Sequence, residues 1–182
     1  MLMQPRQGWR WYFDESADRL CVALDDDMHF KTHFRRKQLC PVALQSQPFS
    51  TDDAKEYHQI LEVLLAYKLL PQPLLVQCAL NAVAAKRFLL PMMPKSWFFT
   101  PGAAQLNVHD DLLVELQCLS GAVGQFLVLE TTEQACLCML LDDSIALSDS
   151  KSMQMFDCIK VMNDRVVGYV STSQSFTGSQ IA

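Results

Sequence analysis

A chain of 182 residues, half of them hydrophobic and 19% charged, buries about 70% of its unfolded surface on folding, which excludes wholesale disorder and any need for a metal or disulfide staple. A net charge of −5 argues against a nucleic-acid partner. No run of about 18 apolar residues is present to span a membrane, and the polar start Met1–Arg10 has no secretory character.

The first 31 residues read as a short antiparallel meander. Trp9-Arg10-Trp11-Tyr12-Phe13 is aromatic-rich, as strands are, and Leu20, Val22 and Leu24 alternate with the period of a half-buried strand. The acids at 14–18 and 25–27 mark turns, and Met28–Lys31 makes a third strand. Two helices follow. Ser50 or Thr51 caps the first, with Asp52 and Asp53 at its positive end and Tyr57, Ile60, Leu61, Leu64 and Leu65 as its apolar stripe. Pro71 ends it, and Pro73 opens a second helix, to about Leu90, that is apolar on almost every side and therefore central. After Pro91 and Pro94 the chain turns to β-rich runs at 113–119, 122–130 and 135–141. Asn163-Asp164 reads as the turn of a hairpin between 156–162 and 165–171. The expected fold is α+β: an N-terminal α/β domain over 1–95 (short antiparallel strands plus two helices), a small β-barrel-like domain over 96–171, and a flexible polar tail, 172–182.

Motifs for chemistry are missing. Seven cysteines, an odd number, are scattered along the chain and read as reduced, small core hydrophobes of a cytosolic protein. Cys136 and Cys138 share a strand face without a second pair at zinc spacing, and His29 and His33 lie in a strand-like run, so no metal site is expected. No G-x-S-x-G, Walker loop or G-x-G-x-x-G occurs. The adjacent acids Asp110-Asp111 and Asp142-Asp143 suit turns better than an acid/base couple, because neighbours on an extended chain point apart. No catalytic residue and no cofactor is expected.

Charge is distributed unevenly. Residues 1–100 hold 12 Lys/Arg against 10 Asp/Glu, a balance of +2, and residues 101–182 hold 3 against 10, a balance of −7. Two runs are free of acids: Lys31, Arg35, Arg36 and Lys37, and Lys86, Arg87 and Lys95. Apolar Phe88, Leu89, Leu90, Met92, Met93 and Trp97 interleave with the second run. Such a surface suits an acidic, hydrophobic peptide or filament; the alternative is that Trp97 and the leucines are core and the cations merely solvated.

Trp9-Arg10-Trp11-Tyr12, Leu80-Asn81-Ala82, Met93-Pro94-Lys95-Ser96-Trp97 and Lys160-Val161-Met162-Asn163-Asp164-Arg165, in that order and spacing, resemble the ZapC family of cell-division proteins over essentially the whole chain. The resemblance implies a cytoplasmic, non-enzymatic, monomeric protein of the mid-cell division ring. It implies direct binding to polymerised FtsZ, with the FtsZ C-terminal tail as one docking segment, lateral bundling of the filaments and slower GTP turnover. It also implies an N-terminal α/β domain followed by a β-barrel-like one. Of the contact residues taken from it, Lys95 and Arg165 fall on the matched motifs; Lys86, Arg87 and Leu90 adjoin them. One member of the family has a lysine just before the proline that corresponds to Pro91, where this chain has Leu90, so contact here leans more on apolar burial. A small-molecule-binding β-barrel or an uncatalogued enzyme stands as the alternative.

Overall fold

The structure, a computed structural model, describes residues 2–102 and 112–169. The expected tail 172–182 and the acids at 110–111 lie outside the described residues. Three strands open the chain, β1 (Arg10–Asp14), β2 (Arg19–Asp25) and β3 (Met28–Lys31), and a two-residue β4 (Gln47–Pro48) joins them in the antiparallel order β3-β2-β1-β4. Trp9, Trp11, Leu20 and Val22 lie inside, and Cys21 between the last two is buried as well.

Helices α1 (Thr51–Tyr67) and α2 (Gln72–Phe88) follow. Ser50 caps α1: its hydroxyl accepts the Asp53 amide at 3.1 Å, while the Asp53 carboxylate accepts the Ser50 amide at 2.8 Å. This reciprocal box satisfies two donors that a bare helix start leaves orphaned. Lys68 ends α1 in the left-handed conformation, three residues before Pro71. Helix α2 is buried nearly all round because it lies between α1 and the second sheet. Leu75, Cys78, Ala79, Ala82 and Phe88 share one core with Trp11 and Leu64 on one side and Leu127, Leu137 and Met139 on the other. The alanines keep the layers close.

The second sheet contains β5 (Leu113–Gln117), β6 (Val123–Thr131), β7 (Ala135–Leu140), β10 (Cys158–Met162) and β11 (Val166–Gly168), with β8 (Ser144–Ala146) and β9 (Ser152–Gln154) as a separate ribbon. The turn from β5 to β6 needs Gly121, whose φ of 94° is a conformation that a side chain disfavours. All six residues of β7 are buried: Leu137 and Met139 face α2, while Cys136, Cys138 and Leu140 face a second core with Phe99, Phe126 and Val161.

The fold class is α+β, as the sequence predicts. Two details differ. The expected hairpin across Asn163-Asp164 does not form, because β10 pairs with β7 and β11 pairs with β5, at opposite edges of the order β10-β7-β6-β5-β11. Yet only Asn163–Arg165 separates these edges. A three-residue link reaches at most about 14 Å, whereas four flat strand spacings span about 19 Å. The sheet must therefore roll on itself, but among the described residues its edges do not pair, so the barrel-like domain is an open, curled sheet. Residues Lys95–Gly102 run across the seam. Lys95 donates its amide to the Lys160 carbonyl on β10 at 2.8 Å, Phe99 bridges Cys118 beyond the end of β5, and Gly102 donates to the Asp164 carbonyl at 2.7 Å.

Candidate functional site: a cationic and apolar strip across the seam

Of the sequence-marked cations, several are committed inside the chain. Arg87 donates to the Asp53 carboxylate, which is only 5% exposed, and to the Gln47 side-chain oxygen at 2.7 Å, with its guanidinium 4.9 Å from the centre of the Phe88 ring. Lys86 pairs with Glu56 across the two helices at 2.5 Å. Arg36 pairs with Glu15 and lies 4.8 Å over Phe13. Arg165 holds Asp164 at 2.8 Å and the Ser96 carbonyl at 3.3 Å. Among the described residues Lys31, Arg35, Lys37, Lys95 and Lys160 form no ion pair.

The fold brings the end of the first basic run, Lys37, to the second. Past the end of α2 the chain forms a bridge, Leu39 to Leu89, flanked by Cys40 donating to Phe88 at 2.8 Å and Leu90 donating to Gln38 at 2.9 Å. Lys37, exposed, thus sits beside Leu90, although about fifty residues separate them. A cleft of about 150 Å³ follows, lined by Lys86, Leu90, Met92, Glu130, Leu137 and Lys160. Beyond it come Met93, 80% exposed, then exposed Lys95 and Trp97, 63% exposed. Leu119, 67% exposed, joins Trp97 because its amide donates to the Phe98 carbonyl at 3.0 Å. Lys151 stands 5.8 Å over the Phe98 ring. Trp97 is therefore surface, not core. The strip alternates greasy and cationic side chains on a backbone pinned to β10 and to the turn after β5. Large apolar groups exposed together in this way mark interaction surfaces. Leu119 and Lys151 escaped sequence reasoning, since each is an isolated residue in a turn or loop; Lys160, although it opens one of the family motifs, is not marked as a contact by the sequence.

Lys31 and Arg35 lie elsewhere. Lys31 ends β3, whose Met28 and Phe30 wall an apolar groove of about 500 Å³, closed on the other side by Pro73, Val76 and Leu80 of α2 and on the floor by Leu24. His29 in this wall hydrogen-bonds the Tyr12 hydroxyl at 2.9 Å. His33 binds Asp157 at 2.5 Å, from the turn before β10, so the two histidines serve different contacts. Cys136 and Cys138 do share a face, with sulfurs 3.5 Å apart. Among the described residues no three His, Cys, Asp or Glu side chains gather as a metal site.

Two family models match the chain: "Cell-division protein ZapC, N-terminal" over residues 2–90 and "Cell-division protein ZapC, C-terminal" over residues 91–172. The junction falls at Leu90-Pro91, within the strip. Among curated relatives, Cell division protein ZapC of Shewanella woodyi is 40% identical over 168 residues, 91% of each chain. The protein of the same name from Aeromonas hydrophila is 39% identical over 166 residues, 91% of this chain and 92% of the relative. That from Proteus mirabilis is 38% identical over 175 residues, 96% and 94% respectively.

Proposed function

Because the chain belongs to the ZapC family of cell-division proteins, we propose that it binds polymerised FtsZ directly at the mid-cell ring and gathers the filaments side by side. It acts as a cytoplasmic monomer without catalysis of its own, and it slows GTP turnover because docking favours the assembled filament, by linkage. The observation that carries this reading is the strip from Lys37 to Trp97. Exposed Leu90, Met93 and Trp97 lie among Lys95, Lys160 and Arg165, on a molecule whose net charge is −5. Screening confines each charge to about 8–10 Å, so a local cationic face engages an acidic filament despite the overall sign. Burial of the apolar groups against the filament supplies affinity, and the cations supply approach and register.

Bundling follows in one of two physical ways. Docked cations relieve repulsion between filaments, or a second surface grips a neighbouring filament. The groove between β3 and α2, with Lys31 at its end, is the candidate second surface.

The test is co-sedimentation of purified FtsZ, polymerised with GTP, with and without the protein. The double variant Lys95→Glu/Arg165→Glu is expected to stay in the supernatant while keeping the wild-type circular dichroism spectrum, and raised salt is expected to weaken wild-type pelleting. Unchanged pelleting of the folded double variant rejects the strip as the contact. Tail-truncated FtsZ assigns the contact to the tail or to the filament body.

A further inference from the structure

Ser96 stands between the cationic and the greasy side chains of the strip, and its oxygens point away from solvent into the fold. Its hydroxyl accepts the Met162 amide on the outer edge of β10 at 2.8 Å. Its carbonyl accepts both the Phe99 amide at 3.0 Å and the Arg165 Nε at 3.3 Å. One residue earlier, Lys95 donates its own amide to the Lys160 carbonyl at 2.8 Å. The backbone here is irregular: Lys95 has φ −122° and ψ 46°, and Ser96–Phe98 form one short 3-10 turn. A single turn of this kind has little stability of its own. Its shape comes from the edge of β10, whose free amide and carbonyl groups require partners.

We infer that Ser96 is the positioning residue of the partner-binding face: by pinning the 95–98 turn to β10 and orienting the Arg165 guanidinium, it holds Lys95, Trp97 and Arg165 in one arrangement before the partner arrives. The inference rests on the reading of the strip as the FtsZ contact. Arg165 keeps its remaining N–H donors for a partner carboxylate, since Ser96 takes Nε and Asp164 takes one Nη. Preorganisation of this kind raises affinity by removing the ordering cost from the binding step.

The experiment compares wild type, Ser96→Ala, Ser96→Thr and Lys95→Glu by co-sedimentation with GTP-polymerised FtsZ, alongside hydrogen exchange of the Met162 amide and thermal melting. Ser96→Ala removes the hydroxyl acceptor and is expected to weaken binding about fivefold, the worth of one ordinary hydrogen bond. It is also expected to speed Met162 exchange while lowering the melting temperature by no more than about 2–4 °C, and Ser96→Thr, which keeps the hydroxyl, is expected to restore both. Ser96→Ala pelleting as wild type while Lys95→Glu fails overturns the positioning role and leaves the strip standing. Lys95→Glu pelleting as wild type overturns the reading of the strip, and the positioning role with it.

Discussion

Arg87 and Asp53 form a buried pair in which one carboxylate oxygen serves three elements. The Asp53 Oδ2 atom takes the Arg87 guanidinium from α2, the Trp11 indole N–H from β1 at 2.9 Å and the Ser50 amide at the cap of α1 at 2.8 Å. The cap that starts one helix thus also ties both helices to the first sheet. A cation that the sequence marks for a partner is spent on the protein's own core.

Arg87→Ala leaves that carboxylate buried without its counter-charge. The expected loss is about 3 kcal/mol of stability, at the lower end for a buried pair because the arginine keeps some solvent. Urea unfolding followed by circular dichroism measures it. A loss below about 0.5 kcal/mol, the level of an ordinary surface substitution, contradicts the structural role. Lys86→Ala, which breaks only the more exposed pair with Glu56, is expected to cost under about 1 kcal/mol.

Trp97 is the exposed one of three tryptophans, Trp9 and Trp11 being buried. Iodide is therefore expected to quench a single fraction of the fluorescence, and Trp97→Ala to abolish that fraction. The substitution is expected to change stability by no more than about 0.5 kcal/mol. Saturating FtsZ polymer is expected to protect the same fraction from iodide. Quenching that persists unchanged in the polymer-bound state removes Trp97 from the contact.

The His33–Asp157 contact has an acid limit. Burial pushes the Asp157 carboxyl up, but the His33 hydrogen bond, the Gln154 amide and the His33 charge together hold it below its ordinary 3.8. A carboxyl whose folded-state value lies below its unfolded one stabilises the fold above the unfolded value, and the contribution is lost as pH falls through the folded value. Asp157→Asn is expected to be less stable than wild type by about 1 kcal/mol at neutral pH. The gap is expected to shrink as urea titrations are repeated below about pH 4. A gap independent of pH refutes this role for the pair.

Thiol reactivity follows burial. Burial pushes the Cys78 thiol up to about 12 and raises Cys158 as well, and the contact with Cys136 plus complete burial hold Cys138 well above the ordinary thiol range. Thiolate is the reactive form. Of the seven cysteines, no more than Cys40, half-buried between its neighbours, is expected to react rapidly with a disulfide reagent in the native protein, and all seven in denaturant. Fast native labelling of Cys78, Cys136 or Cys138, located by peptide mass mapping, contradicts the packing.

Local patterns were legible wherever a residue's role depends on its near neighbours. The strand around Leu20, Val22 and Leu24, the cap at Ser50 and the all-round apolar α2 each follow from periodicity or from a helix end's unpaired groups, and each is present, although Cys21 is buried as well, where strict alternation would expose it. The turn at Asn163 shows the boundary of that legibility. Its residues suit a hairpin, but pairing is decided by which edges the rolled sheet offers, and β10 and β11 find their partners in β7 and β5.

By itself the sequence determined an α+β chain with a central helix, scattered cysteines and two basic runs beside apolar residues. Those features are sums over local preference and composition. The tertiary structure alone decided which cations stay unpaired. It committed Arg87 and Arg36 to carboxylates on remote segments, left Lys37, Lys95 and Lys160 unpaired among the described residues, and turned Trp97 outward. Pairing of charges depends on distances of a few ångströms between segments remote in sequence, and only the folded backbone sets those distances.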